Sequence, residues 1–265
     1  MPFIDRDGTK IHWEAQGAGT PVLLVMGHRY SSAMWYPILP ALAARHRVIT
    51  LDNRGTGESG TSRNLTVATM GDDALAVLDA AGVDKAHIFG VSMGGVIVED
   101  IAMRHRGRVR SLIVGCSGML TADKPRAPSV VRLLYRLPPW ALKLLMPKRA
   151  NNGYGSAAPA GAVAQDMKVL ENDPYSTRGV IAQAEAMSRY TTTKEAVAGL
   201  TMPSLVLHGD EDSTVPFKWG EELAATLPDA RFVRVPGAGH NFFIAGGAAV
   251  NAAVLNFIAE VDAQG

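Results

Sequence analysis

Apolar residues fall into short runs separated by glycine-rich or polar turns. Residues 22–26 and 48–51 are nearly unbroken apolar runs, as expected of central strands buried on both faces. Lys10-Ile11-His12-Trp13-Glu14 alternates instead, which predicts an edge or half-exposed strand. Residues 74–81, stopped by Gly82, read as a helix. Residues 86–89 predict another strand, 96–103 a helix, and 112–114 the strand after it. Residues 204–208 and 231–235 add two more strands, and 250–261 a closing helix. Strands alternating with helices predict an α/β fold whose sheet is doubly wound and mainly parallel, with right-handed crossovers.

That alternation is interrupted between residues 118 and 200. Residues 130–137 and 140–146 read as helices split by Pro138-Pro139, a Gly/Ala/Pro-rich stretch spans 151–161, and 163–170 and 179–190 read as further helices. The chain therefore divides into a first core segment (1–117), a helical insertion (118–200) and a second core segment (201–265).

Three places carry candidate chemistry. In Gly90-Val91-Ser92-Met93-Gly94-Gly95 a strand reverses at once into a helix. Such a turn needs small residues on both sides, and it lifts the apex hydroxyl of Ser92 out of the sheet above a helix N-terminus. The pattern is a nucleophile elbow and points to a serine hydrolase, with the Met93 backbone N–H placed to donate to a developing oxyanion. The second place is the acidic loop after the strand ending at Gly209, where Asp210 and Asp212 are both candidates. The third is Pro236-Gly237-Ala238-Gly239-His240, a glycine-rich loop after another strand. Each lies past the C-terminal end of a predicted strand, where open parallel sheets build their sites.

Seven histidines compete for the role of base. His12, His46 and His105 fall in an edge strand or polar helix ends, where exposure is expected. His87 lies inside a predicted strand and His208 at the end of another. His28 is in a loop near the site. Only His240 combines a glycine-rich loop after a strand with a position beyond the serine and the acid.

With these segments in view, the sequence resembles the α/β-hydrolase family. Val22-Leu23-Leu24-Val25-Met26-Gly27-His28 is similar to the strand and loop that supply the first oxyanion amide, and Asp52-Asn53-Arg54-Gly55-Thr56-Gly57-Glu58-Ser59 to the family's D-x-R-G-x-G-x-S turn. The likeness spans nearly the whole chain except about 118–200. Many relatives carry His-Gly after that strand where this chain has Met26-Gly27-His28, a change that leaves the backbone donor intact. The resemblance implies a Ser92, Asp212, His240 triad, with the acid three residues beyond Gly209 and Asp210 capping the turn. It implies oxyanion amides at His28 and Met93, and an insertion that acts as a lid. Its implied activity is hydrolysis of a carboxylic ester or lactone through an acyl-serine. The same triad also serves carbon–carbon bond hydrolases and cofactor-free perhydrolases or haloperoxidases. A catalytically silent ligand-binding relative is the alternative of another class. Trp140, Met146 and Met187 of the insertion are candidates for substrate contact; if they face the pocket the small-molecule substrate is largely apolar, and otherwise they pack the insertion's own core. Arg29 and Tyr30, beside the oxyanion loop, are candidates for polar contacts with substrate or else sit at the rim.

Composition changes this picture little. A formal charge of +1 gives no reason to expect nucleic acid or an acidic membrane surface. The basic cluster at 104–110 reads as a solvated helix end. The single cysteine, Cys116, excludes an intrachain disulfide and any Cys-rich zinc site, and is expected to be buried and inert. No cofactor or metal is called for. Residues 1–7 hold no signal-peptide pattern, and no apolar run is expected to reach membrane-spanning length, so a soluble cytoplasmic protein is expected. The sequence leaves homo-oligomerisation open.

Overall fold

The computed structural model describes residues 2–62, 64–124, 137 and 153–264. Apart from Leu137, the expected helices at 130–137 and 140–146, with Trp140 and Met146, lie outside the described residues.

The strands are β1 (Phe3–Arg6), β2 (Thr9–Gln16), β3 (Pro21–Val25), β4 (Arg47–Leu51), β5 (Ala86–Val91), β6 (Val109–Gly115), β7 (Ser204–Gly209) and β8 (Ala230–Val235). They form an eight-stranded sheet in the order β1-β2-β4-β3-β5-β6-β7-β8. The β1–β2 and β2–β4 pairs are antiparallel, and every pair from β4 to β8 is parallel. The mainly parallel α/β sheet is therefore as expected. Residues 10–14 are not at the sheet edge, however, because β1 pairs outside them.

Period-two burial assigns the strand side chains to two cores. In β3, Leu23 and Val25 face one cluster while Val22 and Leu24 face the other. The first cluster is covered by α2 (Val67–Ala80) and α3 (Met93–Arg104), the second by α1 (Leu39–Ala43) and by α8 (Phe242–Asp262), with α8 packing along β6, β7 and β8. Helix α2 stops as the sequence indicates, with Gly82 at φ 67° just past its end. Helix α8 corrects one expectation: it is long and apolar enough, by length and composition, to cross a membrane. Here Val250, Val254, Phe257 and Ile258 are buried in the second core, and Gly247 (φ 42°) breaks the helix near its start.

Between β6 and β7 the described part of the insertion carries α4 (Ala160–Asn172), α5 (Thr177–Arg189) and the short α6 (Lys194–Ala198); α7 (Phe217–Thr226) follows β7. The expected helices at 163–170 and 179–190 are thus present and slightly longer. Helix α4 packs on the 3-10 turn Ser32–Trp35 and on α8, so it lies across the C-terminal ends of the strands. The insertion is tied to the loops there. Ser31 N–H donates to Asp173 Oδ2 (2.9 Å), Gly57 N–H to the Pro174 carbonyl (2.8 Å), and Gln183 Nε2 to the Arg54 carbonyl (3.0 Å). Arg54 in turn makes a two-pronged, buried ion pair with Asp73 of α2 (2.6 and 2.8 Å), fixing the turn after β4 to the sheet's flank.

Helix α3 carries a buried acid that no chemistry uses. Glu99 is 1% exposed, and its Oε1 has no hydrogen-bond partner among the described residues. Burial pushes its carboxyl up to about 8, so the folded protein holds a proton there that the unfolded chain releases near pH 4.5. Between those values the folded state binds more protons, so this group's contribution to stability falls as pH rises, by about 1.4 kcal/mol per pH unit. Glu99→Gln removes the titration and keeps the shape. Urea unfolding at pH 5 and pH 8 should show the variant gaining on the wild type mainly at pH 8. An equal difference at both pH values would mean that Glu99 stays ionised in the fold.

Candidate active site

The chain reverses direction at Ser92 with φ 56° and ψ −120°, a backbone conformation that non-glycine residues rarely adopt. The turn is held by Ser92 N–H donating to the Gly115 carbonyl (2.9 Å), while the Ser92 carbonyl accepts from Gly95 N–H (2.9 Å) and from Ser117 Oγ (2.8 Å). It is also crowded: a Cβ on Gly94 would sit 2.0 Å from the Val25 carbonyl oxygen. Only glycine lets α3 start this close to β3. The expected elbow is present, with Ser92 at its apex and Met93 opening the helix.

The loop after β3 passes directly over this apex. A Cβ on Gly27 would lie 3.2 Å from Ser92 Cβ, which puts residues 27–29 beside the serine. Asn53 Nδ2 donates to the Met26 carbonyl (2.9 Å), and Arg29, at φ 78°, donates its N–H to Gln183 Oε1 (3.0 Å). His28 turns its ring into the insertion, Nε2 donating to the Val180 carbonyl (2.9 Å). Burial lowers its pKa, the bond to Val180 opposing and the Arg29 charge adding to that shift, so the ring is held neutral.

The loop after β7 brings Asp212 to the same place. Its Oδ2 lies 2.8 Å from His240 Nδ1, and its Oδ1 accepts from the N–H groups of Thr214 (2.8 Å) and Val215 (2.9 Å). Burial alone would push this carboxyl up. The contacts with His208 and His240, the charge of the latter and the Val215 amide outweigh burial and hold it well below the usual carboxylate range. A permanently ionised acid on Nδ1 leaves His240 Nε2 as the nitrogen free to exchange a proton. Asp210 is placed elsewhere. Its Oδ2 pairs with Arg234 (2.8 Å) and its Oδ1 accepts from Gly237 N–H (2.7 Å), so it ties β8 and the His240 loop rather than merely capping its own turn.

Ser92 and His240 open onto one cavity of about 250 Å³. Met26, Met34, Val91, Phe243 and Ile244 give it an apolar wall; His28, Arg29, Tyr30, Asp166 and Asn241 give it a polar one. Arg29 and Tyr30 both line it, with the guanidinium 5.2 Å from the Tyr30 ring centre and 4.7 Å from that of Tyr175. Met187 does not line the cavity. It sits on α5, whose apolar stripe faces α2, and packs against the first core.

Three features were not legible beforehand. His208 is fully buried, and its Nε2 lies 3.1 Å from the Val215 carbonyl and 3.3 Å from Asp212 Oδ2, beneath the acid. Its position immediately before Gly209 was the available signal. His12 and His46 are buried rather than exposed, His12 because Nδ1 bonds Asp52 Oδ2 (2.9 Å). Asp166, on α4, is 1% exposed and accepts three hydrogen bonds. Cys116 is buried as expected, and burial raises its thiol pKa well above the ordinary value. Among the described residues, Cys116, Asp212 and His240 form the one cluster with metal-ligating spacing, but both His240 Nδ1 and Asp212 are engaged with each other.

Comparison with known proteins identifies the family of the fold. The family described as alpha/beta hydrolase fold matches residues 20–246. A relative from Azorhizobium caulinodans that carries the name carbamate hydrolase RutD is 30% identical over 99% of this chain and 100% of its own length. Among solved structures, a thermophilic esterase from Thermogutta terrifontis superposes with a TM-score of 0.86 at 26% identity, covering 98% of this chain and 97% of that one. The structure of a protein from Mycobacterium tuberculosis that carries the name non-heme bromoperoxidase BpoC has a TM-score of 0.83 at 28% identity, covering 95% of this chain and 96% of that one.

Proposed function

This chain belongs to the α/β-hydrolase family, and from that premise we propose that it is a serine hydrolase cleaving a carboxylic ester or lactone through an acyl-serine intermediate. The observation that carries the reading is the convergence of a strained Ser92 elbow and an Asp212-bound His240 on one cavity. Ser92 Oγ attacks the carbonyl carbon while His240 Nε2 takes its proton. The tetrahedral oxyanion is stabilised by the N–H groups of His28 and Met93, each worth about 3 kcal/mol of barrier. The intermediate collapses as His240 returns the proton to the leaving oxygen. Water, deprotonated by the same imidazole, then releases the acid and restores Ser92. The chemistry at the carbonyl is supplied by this chain's side chains and amides. Asp212 stays ionised throughout and stabilises the imidazolium.

The insertion acts as a lid in this reading. Its bonds to the loops after β3 and β4 hold α4 and α5 over the strand ends, so the remote part of the substrate meets insertion side chains while the sheet supplies the catalytic groups. An apolar cavity wall favours an apolar acyl or alkyl group.

The name of the 30%-identical relative supports a second substrate class, a carbamate, whose carbonyl the same groups can attack, the alcohol departing to leave a carbamoyl-serine that water then hydrolyses to release the amine and carbon dioxide. A stopped-flow experiment with p-nitrophenyl acetate tests the shared mechanism. A burst of p-nitrophenol equivalent to one per chain, or steady hydrolysis if deacylation is fast, is expected. Parallel kcat/KM values for matched esters, lactones and carbamates then assign the class. No hydrolysis of any of them, with hydrogen-peroxide-dependent halogenation in its place, would overturn the hydrolase reading.

A further inference from the structure

We propose that Asp166 is a positioning residue for His240, acting through the helical insertion to fix the loop that carries the base. The inference rests on the reading of His240 as that base. Among the described residues, the His240 ring has Asp212 as its side-chain anchor, and its backbone is fixed largely from outside the sheet. Gly239 N–H donates to the Tyr154 carbonyl (2.9 Å), Asn241 N–H to the Gly153 carbonyl (2.7 Å), and Ala157 N–H to the Gly237 carbonyl (2.9 Å). The residues on either side of His240 are thus hydrogen-bonded to one strip of the insertion, residues 153–157. The fit is close: Gly155 has φ 80°, and a Cβ there would lie 2.3 Å from the Gly237 oxygen and 2.4 Å from the Gly239 nitrogen. The strip also holds the neighbouring acid loop, with Ser156 N–H and Oγ donating to the Glu211 carboxylate at 2.7 and 2.6 Å.

Asp166 locks this strip and the base loop to the core. Its Oδ1 accepts from Tyr36 Oη (2.9 Å), and its Oδ2 accepts from both Tyr154 Oη (2.7 Å) and Asn241 Nδ2 (3.2 Å). One carboxylate therefore joins the segment after β3, the insertion strip and the residue next to His240. At 1% exposure water replaces a lost donor poorly, so each of the three bonds contributes to holding the loop. Burial and the carboxylate itself push the pKa values of Tyr36 and Tyr154 up, which keeps both phenols protonated as donors. Asp166 borders the cavity, but its oxygens are already engaged, so its influence passes through Asn241 and Tyr154 rather than to substrate directly. Displacing a catalytic group by about 1 Å costs on the order of 10²-fold in rate.

The test compares wild type, Asp166→Asn and Asn241→Ala as full-length chains. It reads kcat and KM for p-nitrophenyl acetate, thermal melting, and the low-field proton resonance of His240 Nδ1–H. Asp166→Asn is expected to lower kcat by about 10- to 100-fold with KM within about twofold. The His240 resonance should broaden or vanish while the melt persists. Asn241→Ala breaks only the last link, so it carries the test if Asp166→Asn does not fold; a smaller loss of kcat with the same spectral change is expected. A rise in KM at unchanged kcat would make Asp166 a substrate-binding residue and overturn the proposal. So would an unaltered resonance with unaltered kcat. Should the wild type itself fail to hydrolyse esters, the functional reading fails separately, because the resonance still reports whether Asp166 fixes His240.

Discussion

Ser92→Ala is expected to lower kcat for an activated ester by about 10⁶-fold, toward the rate that binding and the oxyanion amides sustain alone. The elbow is built from backbone bonds to Gly115, Gly95 and Ser117, none of which uses the Ser92 hydroxyl. Alanine suffers the same strain at φ 56° as serine, so the fold and its melting temperature should be retained. Residual turnover above about a hundredth of wild type, with the variant shown free of wild-type carry-over, would remove Ser92 from the nucleophile role. The measurement is steady-state p-nitrophenyl acetate hydrolysis alongside a thermal melt.

Asp212→Asn should cost about 10⁴-fold in kcat, because an amide neither stabilises the imidazolium nor enforces the tautomer with the proton on Nδ1. Asp212 receives contacts from His240, His208 and two backbone amides, all in a buried setting. Asp210→Asn should cost less than about tenfold. Its Arg234 partner is 63% exposed at the side chain, where an ion pair contributes little, and an asparagine oxygen can still accept from Gly237 N–H. The two variants differ by one carboxyl two positions apart, so the pair isolates which acid serves the histidine. A larger loss at Asp210 would reverse the assignment.

Much of this was legible because its physics is local. The apolar runs of β3, β4 and β5 are set by burial on both faces, and the elbow by the need for glycine beside a reversing strand. The acid and base loops follow from where parallel strands end. What the sequence hid is non-local. β1 is four residues of alternating partial exposure whose identity comes from pairing with β2. Asp166 on an amphipathic helix looks like a surface carboxylate, since Tyr36 and Asn241 lie 130 and 75 residues away in sequence. His12 looked exposed for the same reason, its partner Asp52 being 40 residues on. Met187 is a residue type that suits either a pocket or a core, and only the packing of α5 on α2 shows which way it faces.

The covalent intermediate should form on Ser92. The most direct measurement treats the intact protein with a fluorophosphonate, digests it and maps the added mass by tandem mass spectrometry. One equivalent on Ser92, abolished in Ser92→Ala and strongly slowed in His240→Ala, is the predicted result. Modification at another residue, or no modification of a protein that nonetheless hydrolyses esters, would contradict it.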